Sequence, residues 1–314
     1  MTSSGTPGFL RARLDALPPL RDGLVAAGIG ADKRFGQHFL LDLNLCRKIA
    51  SLAGVAPDEA VIEVGPGPGG LTRALLAAGA RVAAVEKDSR FIPLLNDLGA
   101  AAEGRLTVIE GDALAIDETA IFAGDRRIRV VSNLPYNVGT PLLVKWLTGS
   151  FRPASMTLMF QKEVARRIVA SPGEPDYGRL AVLTQALCRA RSVLDLPARA
   201  FTPPPKVDSA VVHLTPLETR PPDELIGAVQ RVAQAAFGQR RKMLRSSLKT
   251  LGGAELCLGA GVDPNVRAET VPVAGFLTMA EAWLALRSRF GEEAGDQRLD
   301  PQVADAPQAL GAID

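Results

Sequence analysis

Two tyrosines, two tryptophans, two histidines and three cysteines are all that the 314 residues contain of these types. Cys46, Cys188 and Cys257 lie far apart and share no metal-ligand spacing. Two histidines add too few ligands for a structural zinc centre, so no metal is expected. Isolated thiols of this kind read as small core residues in a reducing, cytoplasmic compartment. No apolar run reaches the length of a membrane span. Arg11, Arg13, Asp15, Arg21 and Asp22 interrupt every apolar stretch near the start, which is unlike a signal peptide. The expectation is a protein with no membrane partner.

Charge is nearly balanced, with a net +2, but it is not evenly spread. From Leu225 to Ala254 there is no acid, while Arg231, Arg240, Arg241, Lys242, Arg245 and Lys249 are present. Such a segment can face a polyanion. From Glu292 to Asp314 six acids accompany a single Arg298, in an aperiodic Ala/Gln/Asp-rich stretch that reads as a disordered tail.

Residues 1–32 read as a leader with one short helical pattern. "LDLNLCRKIASLAG" places Leu41, Leu45, Ile49 and Leu52 on one face and predicts a helix ending at Gly54. Strand-like runs follow at 60–64, 81–85, 106–110, 127–132 and 154–160, separated by helical patterns such as "GGLTRALLAAG" and "TPLLVKWLTG". That alternation predicts an α/β fold with parallel strands and crossover helices, a Rossmann-like sheet. After Tyr177 a helical run leads into "RSVLDLP" and "VDSAVVHLTPL", two successive strands that suggest an antiparallel edge pair. The remainder reads as a small all-helical domain. The predicted division is a leader over 1–32, a sheet domain over 33–217, helices over 218–290 and a tail over 291–314.

"VIEVGPGPGG" (61–70) follows the first of these strands and opens a helix. Gly65, Gly67 and Gly70 satisfy the dinucleotide-binding spacing, and Glu86 stands 21 residues after Gly65 at the end of the second strand. Pro66 and Pro68, however, have no N–H with which to cradle phosphate oxygens. Glu63 adds a negative charge beside the loop. A ligand with an adenosine, no phosphate and a cationic group fits better, and S-adenosylmethionine has all three properties. Glu86 would then accept from the ribose hydroxyls. In "EGDAL" (110–114), Asp112 reads either as a helix N-cap or as the acceptor for the adenine amino group of that ligand.

"VSNLPYNVG" (131–139) ends the fourth strand with Asn133, Leu134, Pro135 and Tyr136. An ordinary strand-to-helix turn is one reading. The other is a pocket for a flat amine. The N6 amine of adenine is a poor nucleophile because its lone pair is delocalised into the ring. The Asn133 side-chain carbonyl and the Leu134 backbone carbonyl could each take one N6–H, favouring a tetrahedral nitrogen and freeing the lone pair. Tyr136 offers a stacking face, an interaction worth roughly 1–3 kcal/mol per base. Phe201, ahead of three prolines in "FTPPPKVDSAVV", is either a second stacking face or a core residue under a stiff turn.

The chain resembles a family on eight ordered motifs: "GQHFL", "VIEVGPGPGGLT", "VEKD", "GDAL", "NLPYNVGTPLL", "QKEVARRI", "FTPPPKVDSAVV" and "AFGQRRKMLRSSLK". It is similar, from about Lys33 to Arg289, to the small-subunit ribosomal RNA adenine dimethyltransferases, the KsgA family. The resemblance implies a class I methyltransferase that dimethylates two adjacent adenosines in the 3′-terminal hairpin loop of 16S rRNA on a partly assembled small ribosomal subunit. It implies that Gln37, His38 and Leu40 cap the methionine end of S-adenosylmethionine. It also implies that Gly65, Gly67, Glu86, Asp112 and Asn133 belong to the cofactor and base pocket, and that Phe201 stacks. DNA is not an expected substrate, and a monomer is expected. On a helix beginning near Arg240, Arg241, Arg245 and Lys249 would share one face, with Lys242 beside them, while Leu244 and Leu248 pack inward. This face is expected to grip ribosomal RNA phosphates.

Overall fold

The structure is a computed structural model that describes residues 7–32, 37–125, 127–239 and 241–293. In chain order the helices are α1 (Pro7–Asp15), α2 (Leu20–Ala26), α3 (Leu43–Leu52), α4 (Gly70–Ala77), α5 (Ile92–Ala101), α6 (Gly139–Thr148), α7 (Lys162–Val169), α8 (Arg179–Leu187), α9 (Asp223–Phe237), α10 (Leu244–Ser247), α11 (Gly253–Gly259) and α12 (Val273–Glu293). The strands are β1 (Phe39–Leu40), β2 (Ala60–Val64), β3 (Arg81–Glu86), β4 (Leu106–Glu110), β5 (Ile128–Asn133), β6 (Ser155–Gln161), β7 (Cys188–Leu196), β8 (Phe201–Thr202) and β9 (Ser209–Pro216).

Seven strands form one sheet in the order β4-β3-β2-β5-β6-β9-β7. The pairs from β4 to β6 are parallel, and β9 runs antiparallel to β6. All five predicted parallel strands and the closing antiparallel edge are present. β2 is buried at every position and β3 at all but its first, because helices cover both faces. That is why these strands read as continuous apolar runs rather than alternating ones. The chain passes from β2 outward to β3 and β4, then returns to β5 on the other side of β2. This reversal of strand order opens a crevice at the carboxyl ends of β2 and β5.

The chain divides into two compact units. The first comprises the residues up to Ala165 together with Ala190–Pro216, and the second comprises Arg166–Arg189 together with the chain from Leu217. The sequence-based boundary at 217 therefore misplaces one segment. Tyr177, Ala181 and Val182 are buried in the same apolar cluster as Val229, Val232, Leu244, Leu248, Phe276 and Met279. α8 carries a helical pattern in the sequence, but nothing local reveals which helices cover its apolar face. Of the acidic stretch expected to be disordered, Glu292 and Glu293 fall at the end of α12, and residues 294–314 lie outside the described residues.

The leader is a second correction. α1 and α2 are part of the first unit: Leu10 and Leu14 join the core that contains Leu71, Leu75 and Val82. Leu24 packs with Phe39, Phe91 and Leu95. Arg73 of α4, only 5% exposed, secures this segment. Its guanidinium donates to the Leu14 carbonyl from Nε at 2.8 Å and also from Nη2, to the Leu17 carbonyl at 2.7 Å and to the Pro18 carbonyl at 3.0 Å. Those carbonyls lie at and just beyond the end of α1, where backbone acceptors lack helical partners and a cation is favoured.

Candidate active site

The cleft at the carboxyl ends of the parallel strands has an open volume of about 220 Å³. Most of its wall comes from strand ends and the turns after them: Glu63 to Pro68 with Gly70 and Leu71, Val85 to Lys87, Gly111 to Leu114, and Asn133 to Val138, with Gln37 to Leu40 along one side and Leu142 of α6 behind.

The glycine loop can pass so close to its neighbours only because side chains are missing. Gly70 lies where a Cβ would sit 2.7 Å from the Leu40 carbonyl oxygen, and Gly65 has φ +66° with Pro135 directly against it. The second contact joins the glycine loop to the Asn-Leu-Pro-Tyr turn. Glu86 braces the same loop from below. Its Oε2 accepts the Gly67 N–H at 2.9 Å and its Oε1 accepts the Asp88 N–H at 2.8 Å. Burial raises the Glu86 pKa, and these backbone donors partly offset the shift.

Glu63 is the most unusual group in the cleft. It is 1% exposed and its Oε2 has no hydrogen-bond partner. Burial, reinforced by the nearby Glu86 carboxylate, pushes its pKa from 4.5 up to about 8. A buried carboxyl oxygen without a donor is costly. It suits a cationic or N–H-bearing ligand placed beside it, as the positively charged end of S-adenosylmethionine would be. The donor set thus fits that cofactor: Glu63 for its positive charge, Glu86 and Asp112 for its nucleoside, and glycines for close approach.

Gln37 donates from Nε2 to Asp88 Oδ2 at 2.8 Å and accepts the Asp32 N–H at 2.9 Å on Oε1. His38 lies 2.8 Å from the Pro203 carbonyl through Nδ1, so that nitrogen carries the proton, and its ring stands 5.5 Å from that of Tyr136. Leu40 is buried beneath the cleft wall. Asp112 accepts the Leu114 N–H at 2.9 Å and pairs with Lys87 Nζ at 2.8 Å, an interaction that lowers its pKa. Asp112 therefore caps a turn rather than a helix, and its side chain lines the cleft.

On the other wall, Asn133 Nδ2 points to the His38 carbonyl at 3.5 Å, which leaves Oδ1 as the free acceptor of the amide. Tyr136 is fixed by a 2.6 Å hydrogen bond between its hydroxyl and Ser209 Oγ, and burial raises the phenol pKa. Ser209, fully buried on β9, is a residue that sequence reasoning misses. The one signal for it is a serine within the apolar run "DSAVV".

Phe201 is the site residue that the structure moves. It lies on β8, paired opposite Leu40 on β1, is 3% exposed, and is buried in the apolar cluster with Met159, Leu196 and Val211. It does not line the cleft. In this structure its ring packs in the core beside Leu40, as the second of its two readings expects.

The basic stretch also differs from expectation. Arg240 lies outside the described residues. Among the described residues after it no single helix carries the basic side chains: 241–243 are not helical, α10 is a single turn and Lys249 starts a short 3₁₀ segment. The Leu244 and Arg245 N–H groups bond to the Val266 and Pro264 carbonyls, which takes them out of any helix begun upstream. Leu244 and Leu248 are buried as expected. Arg241, Lys242, Arg245 and Lys249 are exposed, and none forms an ion pair among the described residues. Among those residues there is also no group of three or more His, Cys, Asp or Glu placed to hold a metal, and no helix long and apolar enough to cross a membrane.

A doubly wound sheet with a proline-interrupted glycine loop, a buried acid beside it and a second acid at the next strand end defines a class I S-adenosylmethionine-dependent methyltransferase. The profile of the family described as Ribosomal RNA adenine dimethylase matches residues 30–284, and the chain belongs to that family. The "Ribosomal RNA small subunit methyltransferase A" of Phenylobacterium zucineum is 66% identical over 274 residues, covering 87% of this chain and 95% of the relative. The protein of that name from Caulobacter vibrioides is 66% identical over 254 residues, covering 81% and 98%. Among solved structures, a dimethyladenosine transferase from Plasmodium falciparum aligns with a TM-score of 0.66 at 26% identity, over 81% of this chain and 98% of that one. The 23S rRNA methyltransferase ErmE aligns with a TM-score of 0.59 at 27% identity, over 78% and 99%.

Proposed function

We propose that this enzyme methylates N6 of two adjacent adenosines in the 3′-terminal hairpin loop of 16S rRNA, giving N6,N6-dimethyladenosine during small-subunit biogenesis. Relatives bearing the small-subunit name stand at 66% identity, against 27% for the large-subunit enzyme, which favours the small subunit. The observation that carries the reading is the place of Asn133 at the end of β5 on the cleft wall, with its amide nitrogen facing the His38 carbonyl at 3.5 Å.

Its Oδ1 and the Leu134 carbonyl would accept the two N6–H groups of an extruded adenine. Both bonds strengthen as the nitrogen becomes tetrahedral, so they stabilise the transition state more than the ground state. Tyr136, held by Ser209, would present its ring to the base. When bound, S-adenosylmethionine would supply an electrophilic sulfonium methyl group, the new N–C bond replacing its S–C bond and S-adenosylhomocysteine being the by-product. Asn133 and Leu134 would hold the N6 lone pair toward that methyl, and the N6 proton would pass to solvent. No strong base is required. Gln37, His38 and Leu40 would close over the methionine end, and Arg241, Lys242, Arg245 and Lys249, with Arg240, would hold RNA phosphates. A cytoplasmic monomer acting on RNA and not DNA completes the proposal.

The test is incubation with labelled S-adenosylmethionine and either small or large ribosomal subunits that lack these modifications, followed by nucleoside analysis. N6,N6-dimethyladenosine in small-subunit RNA is the expected product. Label confined to the large subunit would overturn the assignment.

A further inference from the structure

A buried charged cluster lies behind the Asp112 turn and takes no part in the chemistry above. Lys145 projects from α6, three residues after Leu142, which itself lines the cleft. Its side chain is 27% exposed, and its ammonium donates to the Ala113 carbonyl at 2.8 Å, the Ile116 carbonyl at 2.5 Å and Glu118 Oε1 at 2.9 Å. Three donors meet three acceptors, all of them within residues 113–118. Glu118 is 4% exposed and also accepts from Trp146 Nε1 at 2.6 Å. Two consecutive residues of α6 thus grip one short turn at three points.

That turn is also wound tightly on itself. The Ala115 and Ile116 N–H groups both bond to the Asp112 carbonyl, at 2.9 and 3.2 Å. Gly111 lies where a Cβ would come within 3.3 Å of Ile116. Asp112, Ala113 and Leu114 form the cleft wall on one side of the turn, and the Lys145 cluster sits on the other. α6 itself starts at Gly139, just after the Asn133–Tyr136 turn. The helix therefore ties the turn that carries Asp112 to the turn that carries Asn133.

We propose that Lys145 is a positioning residue for cofactor selectivity: by clamping the 113–118 turn it sets Asp112 where it discriminates a 6-aminopurine from purines without that amine. This rests on the reading of Asp112 as the acceptor for the adenine amino group. A carboxylate on a short turn discriminates only if the turn cannot yield, because a mobile acceptor can bond water instead and the missing amine costs nothing. Lys145, Glu118 and Trp146 remove that freedom without touching the ligand.

Calorimetry with S-adenosylhomocysteine and with its analogue carrying hydrogen in place of the 6-amino group tests both layers. The wild-type protein should favour the amino form by about tenfold to a hundredfold, the range for a hydrogen bond to a charged acceptor. Asp112→Ala should bring that ratio to about one. Lys145→Met and Lys145→Gln should each lower it at least threefold. Glu118→Gln, which keeps an acceptor and loses the charge, should act in the same direction. A clamp that served only folding would shift both affinities together and leave their ratio intact, so a lower melting temperature alone does not produce the expected result. If Asp112→Ala loses the preference while the Lys145 variants keep it, the positioning role is refuted. If Asp112→Ala keeps it, the reading of Asp112 falls and the proposal falls with it.

Discussion

The cleft of the first unit and the basic stretch of the second use charge in opposite ways. Glu63 and Glu86 are buried and few: Glu86 is set against fixed backbone N–H groups, and Glu63 keeps one oxygen without a partner. Arg241, Lys242, Arg245 and Lys249 are exposed, close in sequence and unpaired among the described residues. A desolvated charge interacts strongly and over a short range, so its effect depends on tenths of an ångström. Solvated cations act additively and are screened by salt, so what counts is their number. A small cofactor suits the first arrangement and a long polyanion suits the second.

The largest effect should come from Phe201, the buried aromatic with two readings. Phe201→Ala removes a fully packed ring and should destabilise the fold by about 3–5 kcal/mol, read as a fall in denaturation midpoint. Turnover per folded molecule should change little. A large loss of turnover with normal stability would return Phe201 to the base pocket.

Next comes Asn133→Ala. Loss of one preorganised acceptor should lower the methylation rate by about two to three orders of magnitude, a range known for oxyanion-hole donors. Affinity for S-adenosylmethionine should fall far less. Single-turnover rates alongside equilibrium binding separate the two. Equal losses would make Asn133 a turn residue.

Glu63 should show its burial through pH. Its folded pKa, about 8, lies above the ordinary 4.5, so the carboxyl stabilises the cofactor-free fold while protonated. That contribution is fully present below pH 4.5 and is lost as pH rises through about 8. The melting temperature without cofactor should therefore decline across this window, and Glu63→Gln should flatten the decline. Affinity for S-adenosylmethionine should move the other way, rising toward pH 8, because a cation is best met by the ionised form. An affinity independent of pH would separate Glu63 from the charged end of the cofactor.

The smallest effect per residue belongs to the cations. Neutralising Arg241, Arg245 and Lys249 together should weaken binding to the small subunit. It should also reduce the salt slope by roughly one unit for each phosphate that is no longer neutralised. Cofactor affinity should stay as it was. A triple variant with an unchanged slope would assign this surface to solvent alone.

What can be read from the sequence follows the range of the interactions. The parallel strands are legible because helices cover both faces and force continuous apolar runs. Glu63, Glu86, Asp112 and Asn133 are legible because each stands at a strand end marked by glycine, proline or a charge. The misreadings share one cause, a partner distant in the chain. Arg241, Arg245 and Lys249 have helical spacing, yet the carbonyls of Val266 and Pro264 claim the backbone there. α8 lies in sequence between β6 and β7 of the sheet, but its buried face meets α9 and α12. Phe201 carries two local readings, and its burial opposite Leu40 depends on a strand far away in the chain.

The guanidinium of Arg73 has a consequence in time as well as in space. It holds three carbonyls between Leu14 and Pro18 at once, and it is buried, so letting go of one without the others gains nothing. The amino-terminal segment should therefore detach as one event, and its amides should exchange with deuterium together rather than fray from the end. Leu24 shares its packing with Phe39, so each such opening would also loosen the wall beside Gly67. Exchange at the first helices would then report the lifetime of the closed cleft.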